Sequence, residues 1–248
     1  MVQYDRLTST NDEALARGKS GDAGQLWVVA SEQSRGRGRN GRVWSSPRGN
    51  LYASLLLIDP APAYRAAELG FTAGVATLHA LREVLGGGGR LAIKWPNDIL
   101  HSGAKLAGIL LESASLPDGR LACVAGFGVN CGVHPKNTTY EATDLAAIAG
   151  GPIEPEIVFE QLSAAMGHWL DVWARGAGFA AIRAEWLSLA AGLGARIRVA
   201  RPSQMLEGVF QTIDASGRLI LENETGRVTV EAGDVFFVAS RSETAMRG

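Results

Sequence analysis

The chain has 248 residues, enough for one large domain or a medium domain followed by a small one. Its 46% hydrophobic and 20% charged content is that of an ordinary soluble globular protein. A net charge of −1 excludes bulk affinity for nucleic acid or anionic membrane, so any basic function must be local.

The amino-terminal stretch MVQYDRLTSTNDEA is polar and lacks the apolar core of a secretory signal. Within it, LTSTNDEALARG reads as a helix start, with Thr10 as cap and Glu13 completing a capping box. QLWVVAS (25–31) is expected to be a strand. An arginine–glycine loop, QSRGRGRNGRVW (33–44), follows, and NLYASLLLID (50–59) is the next strand. The apolar run in that strand is far too short to span a bilayer. Residues 63–85 carry helical apolar spacing, and the glycines at 86–89 stop the helix. LAIKW (91–95) is a strand ended by Pro96. Residues 97–113 read as a hairpin turning at Ser102–Gly103, and 120–130 as another strand. Two helices are expected near 155–174 and 178–190.

From about Gly194 the texture changes to short alternating segments, ARIRVARP, MLEGVFQTID, GRLILEN, GRVTVEAGD and VFFVAS. They predict a small all-β module. The Gly192–Gly194 stretch places a boundary between domains spanning 1–192 and 193–248. The two cysteines form no C-x-x-C, and His79, His101, His134 and His168 share no metal-ligand spacing. A cytoplasmic location is the default expectation.

The loop at 33–44 contains a literal G-x-G-x-x-G in Gly36, Gly38 and Gly41. A dinucleotide fold needs a helix directly after it, whereas RVWSSPRGN leads straight into a strand. A kinase reading, prompted by LAIK at 91–94, lacks H-R-D, D-F-G and A-P-E. A flexible RNA-binding segment would interleave aromatics. A plain solvated loop stays open, but the loop's composition has chemical content. No acidic residue occurs from Gln33 to Ile58, but five arginines do, at 35, 37, 39, 42 and 48. Glycines let backbone approach a ligand closely, and arginine forks bind phosphate.

Together with STN (9–11), KWPND (94–98), KLAGIL (105–110) and GFGVN (126–130), the sequence GRGRNGRVWSSPRGNLY resembles the biotin protein ligase family. The likeness runs from about Asp5 to Asn130 and weakly into the β-module. It implies ATP-dependent ligation of biotin to a lysine of a carboxyl-carrier domain through biotinyl-5′-AMP. The fold it implies is α+β: a mostly antiparallel mixed sheet flanked by helices, then a small Src-homology-3-like β-barrel. Repressor members of the family carry an amino-terminal helix-turn-helix. With STN at residue 9, that domain and DNA binding are not expected here.

The resemblance also implies site residues. Lys105, Arg37 and Arg39 are expected to be catalytic, with Lys105 at the reacting centre and the arginines clamping phosphates. Ser9, Thr10, Asn11 and Gln33 match positions near the biotin head. Gly36, Gly38, Asn40, Trp44, Asn97, Gly108, Gly128 and Asn130 match biotin or adenylate contacts, with Trp44 on the adenine side or bracing the loop. Gly126 is expected at the pocket wall, and Asp98 is the candidate for Mg²⁺ or its waters. ATP, Mg²⁺, biotin and a carboxyl-carrier domain are the expected ligands and partner; nucleic acid and membrane are not. A homodimer through the sheet edge is open. The alternatives are a lipoate ligase or octanoyltransferase of the same fold, and a non-catalytic basic-loop protein that binds RNA or an acidic partner.

Overall fold

A computed structural model describes residues 1–87, 90–201 and 204–238. The second half of the glycine run, Pro202 and the end of the VFFVAS segment lie outside those residues.

Seven strands form the larger sheet: β1 (Val2–Tyr4), β2 (Leu26–Ala30), β3 (Leu51–Ile58), β4 (Leu91–Lys94), β5 (Asp98–His101), β6 (Ala104–Ser115) and β7 (Leu121–Val129). Their order is β1-β2-β3-β7-β6-β5-β4. Only β1 and β2 run parallel; every other pairing is antiparallel. The central strands β3 and β7 are buried along nearly their whole length, as their unbroken apolar runs require. The turn between β5 and β6 places Ser102 and Gly103 at φ of 50° and 91°, the double positive pattern of a tight hairpin.

On one face lie α2 (Glu68–Val84), α4 (Pro155–Trp173) and α5 (Phe179–Ser188), enclosing the main core. Helix α2 is buried around most of its circumference because it lies between the sheet and α4. On the opposite face, α1 (Thr10–Lys19) covers a smaller cluster of Ala14, Val28, Leu56, Ala122 and Val124. It covers only half of that face, and the glycine-bearing ends of β6 and β7 stay open beside it.

The capping box at the start of α1 is not formed. Ser9 stands at the N-cap and no side chain caps the helix. Thr10 is the first helical residue, and its N–H and hydroxyl both donate to Gln33 Oε1 at 2.8 and 3.2 Å. Glu13 accepts instead from the Tyr4 hydroxyl at 2.7 Å and Arg17 at 2.9 Å. Long-range partners outcompete the local cap. Two short elements carry too little periodicity to be read beforehand, β1 and α3 (Leu145–Ala149). Helix α3 is capped by Asp144, which accepts from Ala147 N at 2.7 Å.

Five antiparallel strands follow: β8 (Arg196–Ala200), β9 (Met205–Ile213), β10 (Leu219–Asn223), β11 (Gly226–Val230) and β12 (Asp234–Phe237). They form the Src-homology-3-like sheet in the order β11-β10-β9-β8-β12. This sheet joins the main core through Ile197, Val199 and Phe210. It is also tied by Trp95 Nε1 donating to Gly217 O at 3.2 Å and Arg183 Nε donating to Ile213 O at 2.7 Å.

Candidate active site

The open half of the sheet face is floored by glycine. The β6–β7 register sets Gly108 opposite Gly128 and Leu110 opposite Gly126. A Cβ on Gly128 would lie 2.5 Å from the Trp44 indole, and one on Gly108 would lie 2.9 Å from it. The two glycines thus make a flat slot for the Trp44 ring. Its buried Nε1 has no hydrogen-bond partner among the described residues. A Cβ on Gly126 would stand 2.1 Å from Asn11 Oδ1. That close approach lets Asn11 reach across from α1. It donates to Glu112 Oε2 at 2.7 Å and Leu110 O at 3.3 Å, and accepts from Ser54 Oγ at 2.6 Å.

Lys105 stands at the start of β6, only 19% exposed, with its ammonium 2.6 Å from Asp98 Oδ1. The same ammonium faces the Trp44 ring at 5.2 Å and the Tyr140 ring at 5.4 Å. Its backbone is pinned by the 141–143 segment: Lys105 N donates to Glu141 O at 2.7 Å, and Thr143 N donates to Lys105 O at 3.0 Å. Lys94 approaches Asp98 from the other side at 3.9 Å. Burial pulls the Lys94 ammonium below its ordinary pKa, an effect that Asp98 opposes.

The arginine–glycine loop forms the roof. It closes on itself through Trp44 N to Gly36 O at 2.9 Å and Gly38 N to Arg42 O at 2.7 Å. The Arg37 fork donates to both Asp12 oxygens at 2.7 Å and leans on Glu112 at 3.2 Å. That hydrogen-bonded pair holds Asp12 below the usual carboxylate range and raises the Arg37 pKa further. Arg39 is half-buried, and desolvation lowers its pKa. Four cations, Arg39, Arg42, Lys94 and Lys105, therefore stand around two carboxylates, Asp98 and Asp234. Such a pocket attracts anions.

Between floor and roof lies a cavity of about 280 Å³. Ser9, Thr10, Asn11, Gln33, Arg37, Gly38, Arg39, Trp44, Asn97, Asp98, Lys105, Gly108, Gly126 and Gly128 all line it. A side chamber of about 180 Å³ shares Trp44, Lys105 and Tyr140 with it and holds Asn130 on its wall. The structure places the remaining expected contacts differently from one another. Asn40 sits at the loop's exposed tip with φ of 57° and does not line the cavity. Gly36 is packed into the loop's interior, where a Cβ would meet Ser46 Oγ at 2.3 Å, and it is not among the residues lining the main cavity. The Asn130 amide donates to Thr143 O at 3.0 Å and braces the 141–143 segment. Gln33 directs its amide to Thr10 and Ser46, so it fixes Thr10 in place. Arg37 faces two carboxylates, so a role as phosphate clamp requires its release from them.

Sequence reasoning missed Asp234, Tyr140, Thr138 and Ile109 on the wall. Asp234 lies about two hundred residues from the loop it touches, and no local pattern marks it. Tyr140 could have been found as an aromatic shortly after GFGVN, in a segment without periodicity.

Residues 4–130 match the biotin/lipoate A/B protein ligase family, and residues 192–238 match the biotin protein ligase C-terminal domain. A biotin–[acetyl-CoA-carboxylase] ligase of Paracoccus denitrificans is 43% identical, over 94% of this chain and 98% of that relative. A bifunctional ligase/repressor of Bacillus subtilis is 31% identical, over 95% of this chain and 73% of the relative. The biotin protein ligase of Aquifex aeolicus, solved with biotin and ATP, has the same fold: TM-score 0.81, 23% identity, 96% of this chain and 98% of the other covered. The ligase of Leishmania major, solved with biotinyl-5-AMP, superposes with a TM-score of 0.66 at 26% identity, over 93% and 98% of the two chains.

Proposed function

We infer function from one premise: the chain belongs to the biotin/lipoate A/B protein ligase family. It ligates biotin to a lysine of a biotin carboxyl-carrier domain, consuming ATP. In the first step a carboxylate oxygen of biotin bonds to the α-phosphorus of ATP, and pyrophosphate leaves. In the second, the acceptor lysine amine attacks the mixed anhydride at the biotin carbonyl, and AMP leaves. One observation carries this reading. Lys105, the Asp98 carboxylate and the arginine loop converge on a single cavity over the glycine slot.

The chemistry needs two anions brought together, and the cavity supplies cations for both. Lys105 is placed to bridge the biotin carboxyl and the α-phosphate as charge builds there. Asp98 and the two aromatic rings hold its ammonium in one position before substrates arrive. The biotin head lies against Ser9, Thr10 and Asn11, whose hydroxyl and amide groups match a ureido group. The nucleotide takes the Trp44 side, where the cavity opens into the chamber walled by Tyr140 and Asn130. Roof closure keeps water from the anhydride.

Mg²⁺ is proposed to enter with the triphosphate, neutralising phosphate charge when bound. The donor set is thin. Asp98 is engaged by two lysines, and no cluster of three acidic, histidine or cysteine residues occurs among the described residues. That suits an ion held mainly by phosphate oxygens and water, with one carboxylate assisting. Asp98→Asn is therefore expected to raise the Mg²⁺ concentration giving half-maximal pyrophosphate release by about tenfold. An unchanged Mg²⁺ titration would remove Asp98 from the ion's surroundings.

The reading is tested without any acceptor. Biotin and MgATP should yield pyrophosphate and enzyme-bound biotinyl-5′-AMP, whereas lipoate or octanoate in place of biotin should yield neither. Equal turnover of octanoate would place the chain with the lipoate branch of its family.

A further inference from the structure

The roof of the cavity is held from the far end of the chain. Arg42 grips Asp234 with both arms of its fork: Nη1 donates to Oδ1 at 3.1 Å, and Nη2 donates to Oδ2. Arg39 Nη1 donates to Gly233 O at 3.3 Å. Asp234 opens β12 in the carboxy-terminal sheet, Gly233 immediately precedes it, and Asp234 itself lines the reaction cavity. Among the described residues, these are the side-chain hydrogen bonds that Arg39 and Arg42 make. Between them the loop tip turns at Asn40 and Gly41, both at positive φ, and just beyond it Val43 is 88% accessible. Below the tip the loop is already shut by its own backbone bonds, so the tip's remaining tie is to β12. Hydrogen bonding from Arg42, with Arg39 and Lys94 nearby, holds Asp234 below the usual carboxylate range, so it is ionised at neutral pH.

We propose that Asp234 is a positioning residue for the ligation reaction, a clasp by which the carboxy-terminal sheet holds the arginine loop shut over biotinyl-5′-AMP until the acceptor lysine arrives. This rests on the reading of the site as a biotin ligase and assigns the second sheet a part in it. Asp234 touches neither reacting atom. It acts through Arg42 and the loop, so its loss shows in how long the intermediate stays bound. Arg42 is 62% exposed and Asp234 24%, so the pair contributes modestly, and the expected changes are severalfold and not thousandfold.

The test uses the full chain. Labelled biotinyl-5′-AMP is formed on the enzyme from biotin and MgATP, then chased with unlabelled adenylate while release is timed. In parallel, labelling of bystander protein lysines is counted, since a freed adenylate acylates any exposed amine. Asp234→Asn and Arg42→Gln are each expected to release adenylate about fivefold faster and to raise bystander labelling in step. The charge swap, Arg42→Asp with Asp234→Arg, is expected to bring release back to within about twofold of the parent. A merely structural loss in the sheet would not be repaired by the swap, and thermal melts of all variants identify such a loss. Singles that release adenylate at the parent rate would overturn the clasp, as would a swap that leaks like the singles. Loss of adenylate synthesis in singles and swap alike would also overturn it, by moving Arg42 into the chemistry. A parent protein that makes no adenylate would instead defeat the ligase reading itself.

Discussion

Lys105→Ala is expected to keep the fold and to lower biotin-dependent pyrophosphate release by about 10²- to 10³-fold, the loss of one preorganised charge at the transition state. The geometry gives the reason. The Lys105 ammonium is the cation at the junction of the main cavity and the side chamber, and it is fixed by Asp98 and two ring faces. Removing it leaves Asp98 with Lys94 at 3.9 Å as its remaining lysine partner and takes away the cation placed where charge builds. Lys105 belongs to neither hydrophobic cluster, so the thermal midpoint should move by no more than a few degrees. Because the loss falls on the chemical step, kcat should drop more than KM rises. Lys105→Arg keeps the charge but not the point geometry, and should recover only part of the rate. Pyrophosphate release at the parent rate in the alanine variant would take Lys105 out of the reaction.

The second large effect is on stability. In Gly126→Ala the new methyl would meet Asn11 Oδ1 at 2.1 Å. Neither side can yield easily. Strand β7 is hydrogen-bonded to β3 and β6 on both edges, and Asn11 is fixed to Ser54, Leu110 and Glu112. Overpacking costs about 1–3 kcal/mol, and each lost hydrogen bond about 1 kcal/mol more. A loss of about 3 kcal/mol corresponds to a fall of roughly 10 °C in Tm for a chain of this size. Since Asn11 lines the cavity, KM for biotin should rise as well. Gly151→Ala, where a methyl meets nothing, is the control and should leave the midpoint unchanged. Equal melts for the two variants would show that Asn11 does not need the room that Gly126 leaves.

Much of this architecture was legible in the residues, and the reasons differ by element. The strands LYASLLLI and LACVAGFGV are apolar on both faces, and a central strand covered by helices on one side and by α1 on the other must be so. The hairpin at Ser102–Gly103 announced itself because few residues tolerate two successive positive φ angles. Local signals failed where a distant partner changed a side chain's task. Thr10 and Glu13 spell a capping box, yet Gln33 takes the first and Tyr4 and Arg17 take the second. Within the site, the arginine loop was visible as a cationic, glycine-rich stretch, whereas Lys105 and the strand glycines were picked out by the resemblance to the biotin protein ligase family. Asn40 looked equivalent to its neighbours in the loop motif, but the loop's turn points it to solvent. Asp234 was illegible for a plainer reason: it becomes part of the cavity only when the second sheet docks against the first.

The central claim is that one cavity condenses biotin with ATP and then delivers it to a single lysine. The most direct measurement is the intact mass of a biotin carboxyl-carrier domain after incubation with this protein, biotin and MgATP, followed by mapping of the modified residue. The predicted result is a gain of one biotinyl group on one lysine, dependent on ATP and absent with the Lys105→Ala variant. An unmodified carrier, or a gain that appears without ATP, would contradict it.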